Sequence, residues 1–298
     1  MEARSLPHAV YLHALSRPLC PAVRVWSAKE AEYRTLSYGE LWAHVRTART
    51  RVRALLGRAA CTGQRIAILS HNSPAYLVHS LACMSLGAIA VHLNWRQSAA
   101  TLGEQLSDLD CAVLLVSSSL EVAGRQAAAV APQCVLEPLG ELAPLDAAEP
   151  PAAAGDDDDE AAADGAAVVF FTSGSTGKPK AIPHTHATLL WWARSYTAHL
   201  PAIFDRHTPR EAWGSLSFAP YFHVMGFVAN TVRARHSARH AFGRRGGLPR
   251  TPTPRPCCPL RRITTALGAI AGSASHTTLP ITRSHDLQRS PTISHDLP

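Results

Sequence analysis

The chain has 298 residues, a formal charge of +7, 46% apolar residues and 7 cysteines. This length and apolar content suffice for a sizeable core, no apolar run reaches the length of a membrane span, and an odd set of scattered cysteines argues against a disulfide framework. The charge is uneven: residues 231–298 hold 11 arginines, no lysine and two acids, Asp286 and Asp296, a balance of +9 that leaves −2 for residues 1–230.

In chain order, Met1 to Cys20 contains an early acid, Glu2, and no continuous apolar segment, which argues against a secretory signal. The body reads as cytoplasmic, with an organellar address left open. Ser37 and Glu40 have the spacing of a capping box. They precede a helix over 41–56, whose Leu41, Val45, Ala48, Val52, Leu55 and Leu56 recur at three- and four-residue steps. A turn at Gly63 leads into a strand ending at Leu69. His71-Asn72-Ser73-Pro74 opens a second helix running to about Leu86. A strand over 87–94, a helix over 100–109 and a strand over 112–116 follow. Alternation at this spacing predicts an α/β fold with a mostly parallel sheet. Cys83 and Cys111 fall in these patterns and read as buried thiols.

From Ser117 to Asp164 the chain is Ala-rich with little periodicity, and Asp156–Asp159 with Glu160 form an acidic run. That run lacks the spaced ligands and turn glycine of a calcium loop, so the segment reads as a solvated linker. No metal site is expected.

Residues 168–180, VVFFTSGSTGKPK, are the most informative stretch. A buried strand enters a loop of hydroxyls and glycines that closes on Lys178 and Lys180, two of the chain's three lysines. Consecutive amides, small hydroxyls and flexible glycines make an anion-binding concavity, and lysines suit phosphate oxygens. It is not the strand–loop–helix nucleotide loop: only two residues separate Gly174 from Gly177, and Pro179 and Pro183 favour an extended exit. The loop is therefore expected between two strands. A helix over 187–200 comes next, with Trp191 and Trp192 expected to pack inside. A strand over 213–219 and the turn Pro220-Tyr221-Phe222-His223-Val224-Met225-Gly226-Phe227 complete this part.

TSGSTGKPK with the following Thr185-His186 pair resembles the signature of the adenylate-forming superfamily, which includes acyl-CoA synthetases, aryl-CoA ligases and peptide-synthetase adenylation domains. One familiar position departs, Ala181 standing where that family commonly has Gly. The pieces GQRIAI, NSPAY and LGAIAVHLNWR resemble the family's first subdomain, and Pro220–Phe227 resembles its second signature, a turn beside the acyl pocket. The resemblance implies ATP, Mg²⁺ and CoA as cofactor and co-substrates and a carboxylic acid as substrate. It assigns the β,γ-phosphates of ATP to Thr172, Ser173, Gly174, Ser175, Thr176, Gly177, Lys178 and Lys180. Lys180 and Thr176 are the residues expected to act in catalysis, and His223 is expected near the substrate carboxylate. The implied activity is an acid–thiol ligase that forms an acyl-adenylate and then transfers the acyl group to CoA.

The resemblance stops near residue 231. Beyond it the chain is rich in Arg, Pro, Ser and His, has one aromatic residue, Phe242, and repeats Ser-His-Asp-Leu at 284–287 and 294–297. Such a segment cannot bury enough apolar surface to fold. It also lacks the aromatic interleaving of a nucleic-acid binder, which argues against a nucleic-acid partner. The family's later adenine, ribose and C-terminal lysine motifs are not found there. The expected organisation is a first α/β subdomain (1–116), an Ala-rich acidic linker (117–164), the start of a nucleotide-binding subdomain (165–230) and a disordered, non-native basic tail (231–298). On this reading the chain is an incomplete N-terminal portion of an adenylate-forming enzyme, truncated and inactive. The alternatives are a non-catalytic remnant that binds nucleotide weakly at most, and a basic-tail nucleic-acid binder.

Overall fold

The computed structural model describes residues 3–27, 31–57, 61–142, 165–172, 178–199 and 219–231. The strand expected over 213–219, apart from Ala219, the acidic run and the basic tail lie outside the described residues.

The first elements are helix α1 (Leu6–Ser16), an antiparallel ribbon of β1 (Pro21–Ser27) and β2 (Glu32–Ser37), and helix α2 (Tyr38–Leu56). Then come β3 (Arg65–Leu69), α3 (Pro74–Ser85), β4 (Ile89–His92), α4 (Ala99–Asp108), β5 (Val113–Val116), α5 (Glu121–Val130) and β6 (Val135–Pro138). Strands β7 (Ala166–Thr172) and β8 (Lys180–Thr185) and helices α6 (His186–His199) and α7 (Val224–Thr231) follow. Six strands form one sheet in the order β6-β5-β3-β4-β7-β8, parallel except for β8, which runs antiparallel to β7.

Helix starts follow local chemistry. Ser37 Oγ accepts from the Glu40 N–H at 3.2 Å while Glu40 Oε2 accepts from the Ser37 N–H at 2.7 Å, the reciprocal capping box read in the sequence. Ser73 Oγ accepts from the Tyr76 N–H at 3.1 Å with Pro74 at the first helical position, and Ser98 Oγ accepts from the Thr101 N–H at 3.2 Å.

Period-two alternation divides the sheet between two apolar layers. Ile66, Ile68, Val113, Leu115, Val168 and Phe170 join the layer built with α1, α2 and α3, whereas Ala67, Leu69, Leu114, Val116 and Val169 face α4 and α5. The sheet is thus covered on both faces, as parallel sheets are. Burial pushes the Cys83 and Cys111 thiols up to about 12, so they sit in the core as inert hydrophobes. Among the described residues no helix is long and apolar enough to cross a membrane.

Two expectations need correction. The first part of the expected linker, residues 117–142, is not loose: α5 and β6 lie within 121–138, and Arg51 of α2 donates to the Leu139 carbonyl at 3.2 Å and pairs with Glu137 at 3.6 Å. Its helix hid from periodicity because its buried face is Gly124 and Ala127, while Val122 and Val130 are exposed or nearly so. Trp191 and Trp192 are not buried, being 61% and 39% exposed. Leu189 and Ala193 set the inward line of α6, and at ~100° per residue Trp191 points roughly opposite to it.

The α4–α5 seam depends on a close approach at Gly103. A Cβ there would lie 2.5 Å from Val130 Cβ and 2.8 Å from the Ala127 carbonyl oxygen. Gly103→Ala is therefore expected to destabilise the chain by about 1–3 kcal/mol through overpacking. Urea unfolding should register this; an unchanged or raised midpoint would show that the seam yields without cost.

Candidate functional site

The carboxyl ends of β3, β4 and β7 lie along one edge of the sheet, the edge at which open α/β sheets bind ligands. Thr172 ends β7 and stands opposite Lys180, the first residue of β8. Directly opposed residues in an antiparallel pair share a face, with Cβ atoms ~4.5–5.5 Å apart. The loop lies between two strands, as its prolines predict, and Thr172 and Lys180 flank its base. Ser173, Gly174, Ser175, Thr176 and Gly177 lie outside the described residues.

The two lysines diverge. Phe170 belongs to the α1–α3 layer and Phe171 packs toward α4 and α5, so alternation puts Thr172 and Lys180 on the Phe170 side. Lys178 turns the other way: its Nζ lies 3.3 Å from Asp108 Oδ2 and 3.7 Å from Glu104 Oε2, both on α4. The hydrogen bond and charge of Asp108, then the charge of Glu104, hold its ammonium above the ordinary lysine range. Lys178 is thus exposed but engaged. Lys180 is exposed and makes no ion pair with the described residues.

On the Phe170 side sits the turn expected from Pro220–Phe227. The His223 N–H donates to the Pro220 carbonyl at 3.1 Å, and His223 Nδ1 accepts from the Met225 N–H at 3.3 Å, closing the start of α7. In the neutral ring this puts the proton on Nε2. Gly226 is required: a Cβ there would lie 2.0 Å from the Pro220 carbonyl oxygen. His223 itself is exposed.

What holds this turn was missed at the sequence level. Asn72, just beyond the carboxyl end of β3, donates through Nδ2 to the Ala219 carbonyl at 2.8 Å and accepts at Oδ1 from the Tyr221 N–H at 2.7 Å. His92, the last residue of β4, is fully buried and meets the Tyr221 carbonyl through Nδ1 at 3.1 Å and Ser80 Oγ through Nε2 at 3.0 Å. Burial, only partly opposed by the bond to the Tyr221 carbonyl, brings its pKa down to about 3. The ring is therefore neutral, with Nδ1–H donating to Tyr221 and the unprotonated Nε2 facing the Ser80 hydroxyl, whose single proton it shares with the Tyr76 carbonyl at 2.9 Å. The rings of Tyr76, Phe170 and Phe227 surround it at centroid distances of 5.0, 5.1 and 4.6 Å. Outside this nest, the Arg96 guanidinium lies 4.3 Å from the Trp95 ring centroid and 5.8 Å from that of Phe222. The only sequence signal was an amide and a polar ring at strand ends.

No group of three or more His, Cys, Asp or Glu side chains able to hold a metal converges among the described residues.

Comparison with known proteins agrees with this architecture. The family model "AMP-binding enzyme" matches residues 13–253, and the chain belongs to that family. It is 36% identical over 189 residues to a feruloyl-CoA synthase from Amycolatopsis sp., a match covering 63% of this chain and 35% of the relative. It is 30% identical over 164 residues to a 2-succinylbenzoate–CoA ligase of Oceanobacillus iheyensis, covering 55% and 31%. The chain spans about a third of the length of these relatives. The o-succinylbenzoate CoA synthetase of Bacillus subtilis in complex with AMP shares the fold at a TM-score of 0.59 and 23% identity, over 77% of this chain and 53% of that one. A fatty acid AMP ligase from Legionella pneumophila does so at 0.60 and 18%, over 79% and 38%.

Neutral burial of His92 has a pH consequence. Its folded pKa is depressed, so below the ordinary value near 6.5 the unfolded chain takes up a proton that the folded chain refuses. Stability should fall with decreasing pH by up to about 1.4 kcal/mol per unit between pH 6.5 and about 3 from this group. His79, His44 and His184 are shifted the same way, chiefly by burial, and add to the slope. His92→Gln should flatten the dependence of the urea midpoint on pH; an equal slope in the variant would assign the effect elsewhere.

Proposed function

We propose that this chain carries the first part of the nucleotide site of an ATP-dependent acid–thiol ligase. In such an enzyme a carboxylate attacks the α-phosphorus of ATP, pyrophosphate leaves, and CoA then displaces AMP from the acyl-adenylate. The work left to the protein is positioning and charge neutralisation. Thr172, Ser173, Ser175, Thr176 and the amides of Gly174 and Gly177 would cradle the departing phosphates. Lys180 would oppose their charge from the loop's base, and Thr176 would be the foremost hydroxyl donor. His223, with its proton on Nε2, would offer a donor near the substrate carboxylate.

The observation that carries this reading is the ribbon of β7 and β8, with Thr172 opposite Lys180, on the sheet face that also holds the clamped turn of His223. Residues 231–298 contain no lysine and none of the family's later adenine or ribose motifs. For the 298 residues alone, the proposal is therefore nucleotide binding without ligase turnover, in the cytoplasm.

ATP–pyrophosphate exchange tests both statements. A gene product extending through the family's remaining elements should exchange with some member of a carboxylic-acid panel that begins with aromatic acids, since feruloyl and 2-succinylbenzoate appear in the names of relatives. The 298-residue chain should not, and turnover by it would overturn the inactive reading. Within an active product, Lys180→Ala should lower the adenylation rate roughly a hundred- to a thousandfold, the cost of losing a preorganised charge opposite a charged transition state. A loss under tenfold would remove Lys180 from that role.

A further inference from the structure

We propose that Lys178 is a positioning residue that ties the exit of the phosphate loop to α4 through Asp108 and Glu104, rather than a ligand of the phosphates. The inference deepens the nucleotide-loop reading and rests on it only where nucleotide affinity is the readout.

Three observations carry it. Lys178 Nζ lies between two carboxylates of one helix, at 3.3 Å and 3.7 Å, and these acids stand four residues apart and so on one face of α4. Second, the ribbon alternates: Lys180 stands opposite Thr172 on the Phe170 side, whereas Phe171 and Ala181, beneath Lys178, pack toward α4 and α5. The two lysines therefore serve opposite faces. Third, the ground between α4 and the ribbon is a crevice of about 80 Å³ rather than a packed seam. Gln105 lines it, is 4% exposed, and finds no partner for either amide atom among the described residues. With packing incomplete there, the ion pairs add a specific link between α4 and the start of β8 to the apolar contacts of Phe171 and Ala181. Proline at 179 fixes φ between Lys178 and Lys180, so a hold on Lys178 is transmitted to the residue that opens β8.

Reversing the charges separates a tether from a phosphate ligand, because a reversed pair still ties α4 to the loop but carries its cation on the helix and leaves a carboxylate on the loop. In the 298-residue chain without nucleotide, Lys178→Glu should speed amide exchange over residues 180–185 by roughly two- to fivefold, the scale of an exposed ion pair. Exchange in β3 and β5 should not change. In a Glu104→Gln background, combining Asp108→Lys with Lys178→Glu should return exchange over 180–185 to the rate of that background. Unchanged exchange in Lys178→Glu, or no recovery on reversal, would overturn the tether. ATP titration gives the second arm. Affinity lost in Lys178→Glu should be regained on reversal; if exchange recovers and affinity does not, Lys178 acts on the phosphates and the proposal fails. If the unmutated chain binds no ATP, the nucleotide reading fails while the exchange measurements still decide the tether.

Discussion

The peptide groups around Tyr221 are the point on which the described site depends. Asn72 and His92, more than a hundred residues earlier in the chain, take hold of the N–H and the carbonyl of this residue, and Asn72 also binds the Ala219 carbonyl. Backbone polar groups in a short buried turn must find partners, because leaving one unsatisfied costs roughly 1–3 kcal/mol. Here the partners are side chains at the carboxyl ends of two central strands. The turn is thereby indexed to the sheet and not only to its neighbours in sequence, and the start of α7 follows, since Gly226 presses directly on the Pro220 carbonyl. A neutral histidine suits the post: a charged ring in that aromatic nest would be costly to bury, and its second nitrogen is already occupied by Ser80.

How much of this could be read in the sequence follows the range of the interactions. The capping box of Ser37 and Glu40, the Ser73-Pro74 helix start and the strand–loop–strand form of the phosphate ribbon are local, and all were legible. Helix α5 was not, because its contact face is a glycine against Val116: a Cβ at Gly124 would lie 2.8 Å from Val116 Cγ2, so closeness replaces the apolar stripe that periodicity detects. The roles of Asn72 and His92 were invisible for a different reason. An amide or imidazole advertises a capacity for hydrogen bonds but not the distant peptide that uses it. Trp191 and Trp192 misled through size, since the inward line of α6 is set by Leu189 and Ala193.

The phosphate ribbon shows how one local motif can be divided between two layers of a fold. Thr172 and Lys180 belong to the face that carries the aromatic nest, and Lys178 belongs to the face of α4 and α5. Pro179 sits between the lysines, and the chain crosses from one face to the other in those three residues. Two cations of one short motif thus acquire different electrostatic surroundings: one has two carboxylates within 4 Å, and the other has no ion pair among the described residues. A single substitution on α4 therefore reaches the loop through one lysine and not the other.

The strand order also has a consequence for how the chain folds. β3, β4, β5 and β6 lie within residues 65–138 and pair through connections of ordinary helix-crossover length. β7 comes later yet inserts beside β4, and the turn at 219–223 must then find Asn72 and His92. During synthesis the four earlier strands can assemble while β4 waits with one open edge, its Ala90 and Val91 positions unpaired until Val168 and Val169 arrive. Until β7 covers it, an apolar strand edge of this kind is a template on which another chain can pair, so the placing of β7 beside β4 is also what protects that edge.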